Sequence, residues 1–154
     1  PSNQDDKYAR VRLRQSRTIL DAEGLTDKRL SVLAARMLRA RSALEYYAEQ
    51  AYGSVMLTPC DDTGRIVFSF GAFCALPDDI AIRVLMRGLK EGGATQTEFD
   101  AYDPPLSKVE RLYHDIKTNP VYKRASFGHC FVALDRKKER LTIECPPKDD
   151  TLVK

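Results

Sequence analysis

Two histidines are the side chains best suited to acid–base chemistry near neutral pH, and neither has a partner in the local sequence. His114 lies between Tyr113 and Asp115 in a stretch with helical periodicity, where we predict it at the surface or at its boundary. His129 precedes Cys130 in a predicted strand, and neighbours in a strand point to opposite faces of the sheet. The pattern therefore argues against a His–Cys dyad made from these two residues.

The four cysteines are spaced too irregularly for a CxxC metal or redox motif. They are Cys60, Cys74, Cys130 and Cys145. Because the sequence shows no secretory signal, we expect reduced and partly buried thiols. A zinc site that combined these thiols with His129 would need ligands from scattered positions, so the sequence predicts no metal site.

Paired carboxylates are candidates for metal binding, yet each pair has a structural explanation. Asp61-Asp62 lie in a predicted turn, Asp78-Asp79 in the first turn of a helix, and Asp149-Asp150 in a polar tail. The sequence contains no phosphate loop of the GxxxxGK[ST] type, and Gly92-Gly93 is predicted to end a helix. We therefore expect no catalytic residue and no ATP site in this chain.

Arginine and lysine form three clusters, which favours binding to a polyanion. The planar fork of donors on arginine suits phosphate groups. The clusters are Arg10, Arg12, Arg14 and Arg17; Lys28, Arg29, Arg36, Arg39 and Arg41; and Arg136, Lys137, Lys138 and Arg140. The formal net charge is only +3, so binding to nucleic acid would depend on this local clustering.

Composition is that of a globular protein. The 154 residues are 43% hydrophobic and 31% charged, which fits one domain with an appended arm. No apolar run approaches the roughly 18 to 20 residues that span a membrane. The sequence opens on Pro1 without an initiator Met, from which we expect a piece of a longer reading frame.

Two helices are predicted in the first third of the chain from apolar periodicity and capping signals. The first begins near Asp5 and ends at Gly24. The second begins at Thr26 and ends at Gly53. Its apolar residues alternate in steps of three and four, as in packing against a neighbouring helix. This seam consists of Leu30, Leu33, Met37, Ala40, Leu44, Tyr47 and Ala51.

Two further helices and two hairpins complete the predicted α+β fold, in which helices dominate. The third helix begins at Pro77, and the fourth follows Pro105 with a capping box of Ser107 and Glu110. Strands at residues 54–58 and 65–70 flank a turn, and strands at 126–134 and 140–145 form a second hairpin.

Segments along the chain resemble those of a known family, the tRNA(Ile)-lysidine synthetases, in the order of that family. Residues 1–14 are similar to the (D/E)-x-S-N-x-D-x-x-(Y/F)-x-R-x-x-(L/I)-R segment that follows the family's catalytic domain. Residues 76–87 resemble its L-P-x-x-(I/V)-A-x-R-x-L-x-R helix. Residues 105–112 and 126–132 resemble its P-x-x-x-x-x-E-R-L helix and its L-G-G-C-R strand. In that strand His129 and Phe131 replace a glycine and an arginine of the family pattern.

The resemblance implies a part in tRNA modification. The family uses ATP, with magnesium, to join lysine to the wobble cytidine of an isoleucine tRNA, in a catalytic domain whose S-G-G-x-D-S loop this sequence lacks. It implies that residues 1–25 are a linker helix after a missing N-terminal catalytic domain, residues 26–147 a tRNA-binding domain, and residues 148–154 a polar tail. Such a fragment would be cytoplasmic and non-catalytic, without a cofactor of its own, with isoleucine tRNA and the missing domain as partners and no membrane contact.

We expect tRNA contacts from the arginine and lysine clusters. The predicted binding residues are Arg10, Arg12, Arg14, Arg17, Arg36, Arg39, Arg136, Lys137, Lys138 and Arg140. An alternative stays open, in which the domain is a structural spacer or forms a homodimer through the apolar seam without touching tRNA.

Overall fold

The computed structural model describes residues 12, 16–17, 19–62, 64–94 and 104–145. The chain divides into two compact units, Pro1–Ala43 and Leu44–Lys154. Arg10 and Arg14, like the loop predicted after Gly93, lie outside the described residues. The predicted domain boundaries, near residues 25 and 147, stay a prediction.

A helix in the first unit ends at Gly24, as the sequence predicts. Gly24 has a φ of 80°, which glycine adopts without the steric cost that other residues meet. The Gly24 amide donates to the Asp21 carbonyl oxygen at 3.0 Å, and the Leu25 amide donates to that of Leu20 at 2.8 Å. These are the two hydrogen bonds of a Schellman motif, which ends a helix.

Helix α1 spans Asp27–Val55 and begins after Thr26, whose hydroxyl oxygen accepts a hydrogen bond from the Arg29 amide at 3.4 Å. The predicted cap is thereby confirmed. The predicted end at Gly53 is wrong, because the helix continues to Val55. The Val55 side chain is buried, at 2% exposure. A glycine inside a helix costs about 1 kcal/mol relative to alanine, which the burial of Val55 offsets.

Only part of the predicted three-four seam packs, because Leu44 and Ala51 are partly buried against the core whereas the earlier apolar residues of the seam are exposed. Leu30, Leu33 and Met37 are 40%, 52% and 64% exposed. The buried side chains of α1 are Ala48, Tyr52 and Val55. They are spaced by four and three positions, so they share one face of the helix, and this face is shifted by one position from the predicted seam.

Five antiparallel strands form one sheet in the second unit. They are β1 Met56–Thr58, β2 Arg65–Ser69, β3 Arg124–Phe127, β4 Cys130–Asp135 and β5 Arg140–Glu144, in the order β1-β2-β5-β4-β3. The α+β fold is confirmed, and both predicted hairpins form, one from β1 and β2 and the other from β4 and β5. β2 pairs with β5 along its length and joins the two predicted hairpins into one sheet.

The predicted strand 126–134 is interrupted by a turn, which divides it into β3 and β4. Gly128 and His129 form this turn, and Gly128 has a φ of 61°. A positive φ is uncommon for residues other than glycine, so Gly128 is the local signal for the turn. His129 therefore lies in a turn and not in a strand.

Three helices pack with the sheet around one core. They are α2 Phe70–Cys74, α3 Asp78–Ala94 and α4 Leu106–Thr118. The largest fully buried side chains are Phe68, Phe73, Ile66, Leu85, Leu89, Ile116, Leu141 and Ile143. Among the residues described, every helix is too short or too polar to cross a lipid bilayer.

Gly92 serves close packing rather than the end of α3. The helix begins at Asp78, one residue after the predicted start at Pro77, and it runs through Gly92 to Ala94. A Cβ on Gly92 would lie 2.9 Å from the carbonyl oxygen of Gly64 and 3.0 Å from the sulfur of Cys145. Only a residue without a side chain fits so close to the backbone of another segment.

The capping box predicted for α4 is wrong. The residue before the helix is Pro105, and no side chain caps the helix through a hydrogen bond. Ser107 lies one residue inside the helix, so its hydroxyl is in the wrong position to accept from the Glu110 amide as an N-cap would.

Cys130, the first residue of β4, and Cys145, the residue after β5, form a disulfide with a Cα–Cα distance of 4.0 Å. The expectation of four reduced thiols is therefore wrong for this pair. Cys60 and Cys74 are free and half-buried, and burial raises the pKa of each thiol.

A polar network joins the start of α3 to α4. The Tyr113 hydroxyl donates to the Asp78 carboxylate at 2.7 Å, and the Lys117 ammonium donates to the same oxygen at 2.5 Å. The hydrogen bond from Lys117, and then that from Tyr113, lowers the pKa of Asp78. Asp78 lies in the first turn of α3, where the helix dipole also favours its negative charge.

The two helical glycines give a matched test of packing. Nothing lies within 4 Å of a Cβ placed on Gly53, so Gly53→Ala should raise the free energy of unfolding by about 0.5–1 kcal/mol. Gly92→Ala should lower it by about 1–3 kcal/mol, because the backbone oxygen of Gly64 has to move. Urea denaturation of both variants measures this, and equal shifts would contradict the packing at Gly92.

Asp78 predicts a pH dependence of stability. Its folded pKa is lowered, so the carboxylate contributes stability above its ordinary value of 3.8 and loses it as the pH falls through the lower folded value. Asp78→Asn should therefore be less stable than the original chain at pH 7, with the difference closing toward pH ~2. Asp62→Asn, in the exposed turn, is the control, and a gap that persisted in acid would rule out the ionic origin.

Candidate nucleic-acid interface

The first predicted cluster is described only in part. Arg12 is helical and exposed. Arg17 is exposed and forms ion pairs with Asp21, at 4.0 Å, and with Asp27. A phosphate group at Arg17 would have to compete with these carboxylates. The structure therefore leaves Arg17 less available than its position in the sequence suggests.

Helix α1 carries a cationic face in the first unit. The cationic face consists of Lys28, Arg29, Arg36 and Arg39, all exposed. At about 100° of rotation per residue, these four positions fall within an arc of about 100°, and Arg41 lies outside it. Asp27 is the single carboxylate between residues 27 and 43. The helix therefore presents an excess of positive charge along one side.

A cavity of about 530 Å³ lies along this face, with Val32 and Leu33 between the cations Lys28, Arg29 and Arg36. The guanidinium of Arg29 donates to the carbonyl oxygen of Gly24 at 2.9 Å, which fixes its position. Arg36 and Arg39 have no ion-pair partner among the residues that the structure describes. Their guanidinium groups are free to bind an external anion.

The second half of α1 has the opposite charge. Glu45 and Glu49 lie there, and they pair with Arg83 and Arg87 of α3. Arg83 also donates to Asp79 at 2.7 Å, and this hydrogen bond raises the pKa of the guanidinium. The acids of α1 are thus engaged inside the second unit, whereas its exposed cations are concentrated before residue 43.

The third predicted cluster forms the tip of the β4–β5 hairpin. The Asp135 carboxylate accepts hydrogen bonds from the backbone amides of Lys137 and Lys138, both at 3.0 Å, which fixes the turn. Arg136 donates to the carbonyl oxygen of Asn119 at 2.9 Å. It also lies 5.4 Å from the centre of the Phe70 ring.

The roles within this tip therefore differ. Arg136 holds the hairpin against neighbouring segments, while Lys138 approaches Asp135 at 3.9 Å. Lys137 and Arg140 are exposed and have no ion-pair partner in the described part of the chain. The tip consequently offers fewer free cations than its sequence indicates.

A cavity of about 480 Å³ in the second unit contains cations that the sequence analysis did not select. Lys108 and Arg111 of α4 line it, opposite Ser126 and Phe127 of β3. The sequence signal was present, because cations three positions apart in a predicted helix share a face. Only the folding of α4 beside β3 shows that this face borders a cavity.

Side chains able to bind a metal come together once within the described stretches. The ligand atoms of His129, Cys130 and Cys145 all lie within 4.8 Å of one another. The prediction that strand geometry separates His129 from Cys130 is therefore wrong, since His129 lies in a turn. The two sulfurs are bonded to each other, however, so neither is a thiolate ligand or nucleophile in this structure. His114 is exposed on α4, as predicted.

Curated relatives named tRNA(Ile)-lysidine synthase match the chain in sequence. The protein from Methylobacterium sp. (strain 4-46) is 42% identical over 85 residues, covering 55% of this chain and 24% of the relative. That from Bradyrhizobium diazoefficiens is 37% identical over 118 residues, covering 73% and 30%. That from Bradyrhizobium sp. (strain BTAi1) is 34% identical over 133 residues, covering 82% and 37%.

No family model matches the chain, and no solved structure matches it. The chain spans about a quarter to a third of the length of the relatives described above. The likeness extends over most of this sequence and agrees among several bacteria. These matches show that the chain belongs to the tRNA(Ile)-lysidine synthase family and that it corresponds to one segment of the longer relatives.

Proposed function

We propose that the chain is the tRNA-recognition part of a tRNA(Ile)-lysidine synthetase and is not catalytic by itself. The observation that carries this proposal is the cationic face of α1 in a chain whose relatives are named for acting on tRNA(Ile). Phosphates supply most of the affinity in protein–nucleic acid complexes, and exposed cations without internal partners are the groups that bind them.

Arg36 and Arg39 are the best candidates for phosphate contacts. Both are exposed on the same side of α1, and neither has an ion-pair partner among the described residues. They are separated by three positions, about 4.5 Å along the helix axis. The two guanidinium groups therefore lie close enough to contact neighbouring phosphates of one RNA. Lys137 and Arg140 are weaker candidates of the same kind, whereas Arg17 and Arg136 are engaged internally.

The chemistry of ligation belongs, in this proposal, to a catalytic domain outside these 154 residues. That domain would use ATP with magnesium and lysine, and the present chain would hold isoleucine tRNA in the cytoplasm while the reaction proceeds. The two free, half-buried thiols, His114 and the carboxylates of the described residues do not converge on a site that would perform it.

Substitution of the unpaired arginines tests the proposal. Arg36→Gln and Arg39→Gln should each weaken binding to tRNA(Ile) by about fivefold, or about 1 kcal/mol, through loss of a phosphate contact. Arg65→Gln is the matched control, since it removes the same charge from an exposed arginine that is paired with Glu144 at 3.5 Å. Filter binding at fixed salt measures the three affinities, and equal affinities would refute the assignment of the cationic face.

The exposed apolar seam favours a second candidate function, dimerisation without tRNA contact. Leu33 and Met37 are 52% and 64% exposed on the side of α1 next to the cationic face. If they form a homodimer interface, sedimentation should give a dimer without tRNA, and Met37→Glu should convert it to a monomer. A monomer at about 100 μM would exclude this function, because stable dimers normally form well below that concentration.

A further inference from the structure

The cavity between α4 and β3 is lined by two kinds of surface. Its volume is about 480 Å³, within the range of about 300–1,000 Å³ typical of small-molecule sites. Cations border one part of it, and apolar side chains border another. All of its lining residues belong to the second unit.

The cations of the cavity are available for an external anion. Lys108 and Arg111 are both exposed and lie three positions apart on α4. Neither has an ion-pair partner within the part of the chain described by the structure. Two unpaired cations on one wall favour a phosphate group, which arginine binds through two donors and lysine as a point charge.

The remaining lining suits an aromatic base. Leu112 and Phe127 are buried, at 5% and 7% exposure, and form an apolar surface. Ser126 adds a hydroxyl, and the half-buried Asp115 adds a carboxylate that accepts hydrogen bonds. Inorganic phosphate would leave the apolar surface uncovered, and an apolar ligand would leave both cations unused.

A nucleotide carries both of these chemistries in one molecule. In a double helix its base is stacked and paired, and cannot reach a surface such as Phe127. Bases in single-stranded loops and ends are free to do so, and sequence-specific RNA recognition mostly uses them. We propose that this cavity binds one unstacked nucleotide of RNA, with its phosphate at Lys108 and Arg111 and its base against Leu112 and Phe127. The assignment to RNA rests on the proposed function.

The test uses the four 5′-ribonucleoside monophosphates and the whole 154-residue chain, followed by amide chemical shifts in NMR. Saturable shifts are expected at residues 106–115 and 125–128. Arg111→Gln should weaken binding at least fivefold, and unphosphorylated nucleosides should bind at least tenfold more weakly than the monophosphates. Arg65→Gln, which removes the same charge outside the cavity, should bind as the original chain does. Arg111→Lys should retain part of the affinity.

The outcomes separate this inference from the proposed function. If monophosphates cause no saturable shift at the cavity, or if Arg111→Gln binds them unchanged, the nucleotide site is refuted, even when tRNA binding through Arg36 and Arg39 is intact. If inorganic phosphate binds as tightly as the monophosphates, the role of the apolar surface is refuted. If monophosphates bind but tRNA does not, the cavity remains a nucleotide site while its assignment to RNA fails, together with the proposed function.

Discussion

The contacts of Tyr52 fix the second half of α1 to the sheet, and the distribution of charge along the helix depends on them. The Tyr52 ring packs edge-on against Phe68, with 5.5 Å between ring centres, and the guanidinium of Arg87 lies 4.4 Å above its face. The hydroxyl donates to Glu91 at 2.7 Å. Burial, followed by the hydrogen bond to Glu91, raises the pKa of Tyr52, so the ring stays neutral in the core.

This attachment determines which side chains of α1 are used inside the fold. With Tyr52 buried, Glu49 meets Arg87, and Glu45 meets Arg83, so the acids are neutralised by α3. None of the described side chains before residue 43 is buried, and Asp27 is the single carboxylate between residues 27 and 43. Positive charge therefore accumulates where the helix is exposed, although the net charge of the chain is small.

The end of the first helix at Gly24 and the start of α1 at Thr26 were predictable from the sequence, whereas contacts between distant segments were not. Gly24 and Thr26 act through hydrogen bonds to neighbours within five residues, so their roles could be derived from the sequence. Gly92 was misjudged because its role depends on the carbonyl of Gly64, which is distant in the chain. The pairing of β2 with β5 likewise has no sequence signal, since it joins strands separated by three helices and two further strands.

The same limit applies to the candidate sites. The arginines of α1 could be selected from the sequence because helical periodicity alone places them on one side. Lys108 and Arg111 were missed because a cavity exists only where α4 meets β3. Arg17 and Arg136 were selected, but acids or carbonyl oxygens elsewhere engage them. Charge alone selects the candidate residues for binding a polyanion, and only tertiary structure shows which of the candidates are engaged elsewhere in the fold.

The salt dependence of binding between the unaltered chain and tRNA(Ile) tests most directly whether exposed cations hold the RNA. Four phosphate contacts at the cationic face predict that log K falls with log salt concentration at a slope of about −3. The slope should be measured between about 50 and 200 mM salt, where electrostatic contacts dominate its value. A slope near zero, or no binding at the lowest salt, would contradict a phosphate-binding role for this face.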